Sequence, residues 1–188
     1  SATTQTVTAD PTSSYQVRQR IKFYKALMGP QAAVFADHVE LTDGGMDFAS
    51  QIGAGGVPGT KFVWPEQPET MARLREVWLL TSEKEGVWEK WFQIYNEYRP
   101  AEGEYLNLYD MTFDYPESHV IRKGERFYFA FFAPIFKGEV EFRGLDAKLY
   151  RLVDYVNGRN VGVIHGENPV LHIEFEQSLL VVAIPQNP

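Results

Sequence analysis

The sequence predicts an α/β segment followed by an all-β antiparallel sandwich, and three observations carry that expectation. A helical pattern over residues 13–28 leads through Gly29-Pro30 into the apolar run 32–36, the helix-then-strand half of a βαβ unit. A second helical stripe, with Trp88, Trp91, Phe92 and Tyr95 at i, i+3, i+4 and i+7, ends before Pro100. Beyond Gly103 the hydrophobic period changes from helical to two. These divide the chain into a flexible lead-in at 1–12, an α/β region at 13–103 and a β-sandwich at 104–188.

In order, residues 1–11 are Thr-rich and aperiodic and are assigned no function. Ser13 with Gln16 forms a capping box, and Val17, Ile21, Tyr24 and Met28 line one helix face, with Lys and Arg on the other. The strand at 32–36 ends in Asp37, His38 and Glu40 and opens into a Gly-rich loop that holds Asp47 and the glycines at 53–56. A second strand at 59–64 ends in Trp64, and Met71, Leu74 and Trp78 mark a short helix. Ser82 with Glu85 reads as a second capping box. Strands follow at 118–122, 126–133, 139–143, 148–156, 160–164, 170–175 and 178–184. The turn signals between them include Lys123-Gly124, Lys137-Gly138 and Asn157-Gly158, the last read as a type I′ hairpin. A strand as apolar as 32–36 expects cover on both faces, more than one parallel pair with its helix supplies.

Composition narrows the function. Net charge −7 and a pI near 5.1 leave no basic stripe for nucleic acid and favour a neutral or cationic partner. No apolar run approaches the ~20 residues of a membrane span, nor is there a signal-peptide core. Cysteine is absent, so a disulfide framework is excluded, while the compartment stays open. Candidate ligand groups sit at strand tips, where α/β folds bind: Asp37 first, then His38, with Asp47 and Trp64 in support and Glu40 weaker. Alternation sends Asp37 and His38 to opposite sides. One histidine without a second nearby argues against a metal site, and neither a P-loop nor a dinucleotide fingerprint is present, so no cofactor is expected. His119, His165 and His172 are read as ordinary polar surface, and the aromatic helix stripe as packing.

Residues 20–29, 36–42, 47–50, 59–62 and 80–85, with Lys-Gly-Glu-Val-Glu-Phe-Arg-Gly-Leu at 137–145, Asp-Tyr-Val-Asn-Gly at 154–158 and Ser-Leu-Leu at 178–180, form a collinear series. It resembles the C-terminal part of α-galactosidase-like enzymes in or near glycoside hydrolase family 36. The resemblance implies that residues 13–103 are the last βα units of a (β/α)8 barrel and that the sandwich closes the enzyme. The implied reaction is retaining hydrolysis of terminal α-galactosides by two carboxylates. Both family motifs for those aspartates, a Lys-x-Asp-x-Asn nucleophile stretch and a Gly-rich acid/base stretch, are missing. The resemblance therefore implies a chain without catalytic residues, inactive alone, that completes a sugar pocket with the remaining N-terminal part of the enzyme. A homo-oligomer is left open, as is a galactosyl-transferring relative. The rival is a free-standing carbohydrate-binding or structural sandwich, which would expose aromatic rings on a sheet face; a buttress would instead bury Phe127, Phe129, Phe131 or their alternates against its second sheet and leave Tyr128 and Phe132 on the other face, against the barrel.

Overall fold

The computed structural model describes residues 3–5, 13–35, 46–59 and 81–186, with the backbone alone for 3–5 and 46–47. Within the stretch expected to be a lead-in, Thr3–Gln5 forms β1. Next come α1 (Ser14–Met28), β2 (Ala33–Phe35), α2 (Met46–Gly53) and α3 (Ser82–Tyr98). A 3-10 turn at Pro100–Glu102 leads to β3 (Glu104–Leu106), β4 (Glu117–Lys123), β5 (Arg126–Glu141), β6 (Leu149–Asp154), β7 (Arg159–His165) and β8 (Val170–Pro185). β1 and β2 are parallel, and Phe35 bridges in parallel to Val57. The other strands form one antiparallel sheet in the order β3-β4-β5-β8-β6-β7.

Local chemistry explains most boundaries. The Ser13–Gln16 capping box forms, with the Gln16 N–H donating to Ser13 Oγ and the Ser13 N–H to Gln16 Oε1. α3 is capped one residue earlier than expected: Thr81 Oγ1 accepts from the Lys84 N–H. At its other end Arg99 turns left-handed, and Lys123 from β4 donates to the carbonyls of Tyr98 and Arg99, a cation at a helix C-terminus. α2 was missed in the sequence, so Asp47 lies on a helix and not in a loop. Its signal is short: Phe48, Ala49 and Ile52 share one face and are buried.

The sheet departs from the expected strand list at two places. The Lys137-Gly138 "turn" runs straight through β5, paired with Glu174 and Ile173, and 170–175 and 178–184 are one strand. The actual bend lies where Pro134 bulges between Ala133 and Ile135, opposite Gln177 at φ 65°. Both long strands bend there, so Phe136, Val140, Ile173 and Phe175 from the second limb join Phe127, Phe129, Phe131 and Val181 from the first in one core. The sheet thus folds over its own core as a sandwich-like domain, with β3 and β7 at its edges. The opposite face, Tyr128, Ala130, Phe132, Leu180 and Val182, packs on Ala49 and Ile52 of α2 and Ile94 of α3. At Gly53 the approach is so close that an added Cβ would stand 2.7 Å from Ala130 Cβ. The Asn157-Gly158 hairpin is a four-residue loop with Gly158 alone at positive φ, since Asp154 Oδ1 accepts from the Val156 and Asn157 N–H groups and holds Asn157 right-handed.

Candidate functional site

Asp37, His38 and Trp64, like Glu40, Met71, Leu74 and Trp78, lie outside the described residues. The polar site that the described residues do assemble was not anticipated. It joins α1, α2, β3 and β4. Ser14, Val17, Arg18, Ile21 and Lys25 are the buried face of α1, so the helix is rotated from the expected stripe: Met28 is exposed, and two of the cations expected outside point in. The available signal was the spacing of Ser14, Arg18, Ile21 and Lys25, which fall on one face at i, i+4, i+7 and i+11. Tyr15, Phe23, Leu27 and Met28 meanwhile leave apolar groups exposed.

Arg18 clamps Glu117 at the start of β4 in a bidentate pair: Nε donates to Oε1 at 2.6 Å and a terminal nitrogen to Oε2 at 2.8 Å. Its other terminal nitrogen donates to Ser50 Oγ of α2 at 2.7 Å, and the guanidinium stacks 4.1 Å from the Phe132 ring centre. On the same carboxylate, His119 Nε2 lies 2.9 Å from Oε1, and Tyr105 Oη is 2.9 Å from His119 Nδ1. His119, read as surface from sequence, is fully buried; a run of apolar neighbours, Val120 and Ile121, was the available hint.

Charge states follow from this geometry. Burial acts to raise the Glu117 carboxyl, but the hydrogen bonds from Arg18 and His119 overcome it and hold it below the usual value. Burial holds His119 below its ordinary value against the pull of Glu117. The neutral imidazole then donates from Nε2 to Glu117 and accepts from the Tyr105 hydroxyl at Nδ1, the tautomer the network assigns. Burial also raises Tyr105, keeping it a hydroxyl donor. An ionised carboxylate engaged at both oxygens does not serve as an acid, and a neutral imidazole whose Nδ1 lone pair already accepts from Tyr105 has no free lone pair to serve as a base. The cluster is a clamp between helices and sheet, and no group of metal-ligating residues occurs among the described residues.

Above the clamp opens a cleft of about 460 Å³ between the N-terminal end of α1 and the loop before β4. That loop is fixed by Asp110, whose Oδ1 accepts from the Thr112 and Phe113 N–H groups, and by Asp114, whose Oδ2 accepts from the Asp110 N–H and from Arg143. These bonds hold Asp114 below its ordinary value, the Asp110 backbone bond first.

No protein-family model matches the chain. Over 190 residues it is 35% identical to a galactosaminidase of Flavonifractor plautii, described as an A type blood α-D-galactosamine galactosaminidase; the match takes in 96% of this chain and 16% of that protein. Among solved structures, a GH27 β-L-arabinopyranosidase of Geobacillus stearothermophilus superposes with a TM-score of 0.56 at 12% identity, over 92% of this chain and 42% of that one. An α-galactosidase I of Mortierella vinacea gives 0.51 at 9%, over 89% and 44%. The chain spans about one sixth of its curated relative, and its antiparallel sheet domain has the fold of glycoside hydrolase C-terminal domains. Sequence and fold agree on one relationship: this chain is similar to a C-terminal part of glycoside hydrolases of the α-galactosidase kind.

Proposed function

We propose that the chain is the C-terminal portion of a retaining glycosidase acting on terminal α-galactosaminides or α-galactosides. The observation that carries this reading is the 35% identity along nearly the whole chain to one stretch of a galactosaminidase. In this reading β1, α1 and β2 are closing βα units of a (β/α)8 barrel, and the two carboxylates that attack the anomeric carbon and protonate the leaving oxygen come from another region of the longer protein. The sandwich acts as a buttress. Both of its faces bury their aromatic rings, Phe127, Phe129 and Phe131 inside and Tyr128 and Phe132 against the helices, which favours a buttress over a free-standing module with rings on a sheet face. The Arg18–Glu117–His119 clamp holds α1 to β4 and so fixes the end of β2, where Asp37 and His38 follow as candidate sugar contacts, with Asp47 and Trp64 in support.

Release of the aglycone from aryl α-galactosaminide and aryl α-galactoside tests this in the longer protein. The anomer first formed is read by proton NMR: the reading expects the α-anomer, and a β-anomer or cleavage of neither substrate overturns it. Transfer of the sugar to an acceptor in the same assay would identify the transferring relative.

A further inference from the structure

The cleft above the clamp carries chemistry that the clamp does not use. Its volume is in the ~300–1,000 Å³ range of small-ligand sites. Its position follows from topology: eight residues separate the end of β1 from the start of α1, and β2, the partner of β1, runs parallel to it. The cleft therefore opens at the C-terminal end of the parallel pair, the end at which α/β folds bind ligands.

Two tyrosines flank it. Tyr15 is 41% exposed and Tyr115 69% exposed. Neither ring is loose: Tyr115 packs on Phe136 at 5.8 Å between ring centres, and the Arg18 guanidinium sits 5.8 Å from the Tyr15 ring centre. Aromatic rings held in place yet open to solvent suit the apolar face of a pyranose. The floor is the Arg18–Glu117 pair, already desolvated and mutually neutralised, so it offers donors and acceptors without net charge. A polyhydroxyl ligand needs both. The backbone is unusual here as well. The Pro134 bulge and Gln177 at φ 65° both line the cleft, and bulges and left-handed non-glycine residues concentrate at ligand sites. On the rim, Thr112 is presented by a loop locked by Asp110.

We propose that this cleft is a binding site for one pyranose ring of a neutral glycan, with the sugar's apolar face against Tyr115 and its hydroxyls toward Thr112 and the Arg18–Glu117 pair. The site is built from this chain's own residues. It rests on the glycosidase reading only for the choice of sugars to try.

The test is saturation-transfer NMR of the protein with methyl α-galactoside, methyl N-acetyl-α-galactosaminide and methyl α-glucoside at millimolar concentration, with Tyr115→Ala, Tyr15→Ala and Thr112→Val beside the unaltered protein. Expected is transfer to ring protons on one sugar face, reduced at least tenfold by Tyr115→Ala at an unchanged melting temperature. Absence of transfer from all three sugars overturns the proposal. So does transfer that survives all three substitutions, which would place the sugar elsewhere, or displacement of the sugar by inorganic phosphate, which would make the cleft an anion site. Binding is read without turnover, so this proposal and the proposed hydrolysis fail separately.

Discussion

Glu117 receives three hydrogen bonds from two cation-capable partners in a buried setting, and buried pairs are far costlier to halve than to replace. Glu117→Gln is expected to lower the unfolding free energy by about 3 kcal/mol, read from urea unfolding. The double change Arg18→Met with Glu117→Leu should cost less than the sum of its single changes. The same groups set a pH dependence. The folded value of Glu117 lies below its ordinary 4.5, so its contribution is complete above 4.5 and is lost as pH falls through the lower folded value. The folded value of His119 lies below 6.5; the unfolded chain takes that proton first, so stability declines as pH falls below 6.5. Both slopes have one sign, and thermal unfolding between pH 7 and 4 should show a falling melting temperature that His119→Gln flattens in its upper part. Lys25 is a different case. It is 2% exposed, donates to the Ala32 carbonyl, and burial brings it down to about 8. Its charge opposes folding at neutral pH, and the opposition fades between about 8 and its ordinary 10.5. Lys25→Met should therefore raise stability by about 1–2 kcal/mol at pH 7, an advantage that shrinks as pH rises through that window.

At the scale of elements, the contact of α2 with the sheet depends on Gly53. An alanine there would meet Ala130 Cβ at 2.7 Å and Phe132 Cζ at 3.0 Å, so Gly53→Ala should cost about 1–3 kcal/mol, measured by urea unfolding. Gln177→Gly relieves a left-handed side chain and is expected to add about 0.5–1 kcal/mol by the same measurement. Elements defined by their own sequence were legible: the Ser13 capping box, the aromatic face of α3, and the alternation of β5 that sends Phe127, Phe129 and Phe131 one way and Tyr128 and Phe132 the other. Elements defined by partners were not. Lys137-Gly138 carries turn residues, but β8 supplies a ladder across it. β3 is three residues long and exists because β4 pairs with it while the Tyr105 N–H donates to the Pro30 carbonyl. Arg18 and His119 looked like surface groups because the carboxylate that draws them inward comes from 99 residues away for the first and from a strand start for the second. Local polarity cannot register such a partner.

For the whole molecule, the covered sheet faces, the clamp from α1 to β4 and the parallel pair β1–β2 describe a unit whose helices and sandwich are built on a common wall. The exposed Phe23 and Leu27 of α1, 59% and 66% exposed, suit a further packed layer. Those features, with the match to 16% of a galactosaminidase, are what the proposed place at the close of a larger glycosidase rests on. The most direct test compares aryl α-galactosaminide and aryl α-galactoside hydrolysis by the 188-residue chain alone and by the longer protein proposed to contain it. The account expects turnover in the longer protein and none in the chain. Turnover by the chain alone, or a longer protein inert toward both substrates, would contradict it.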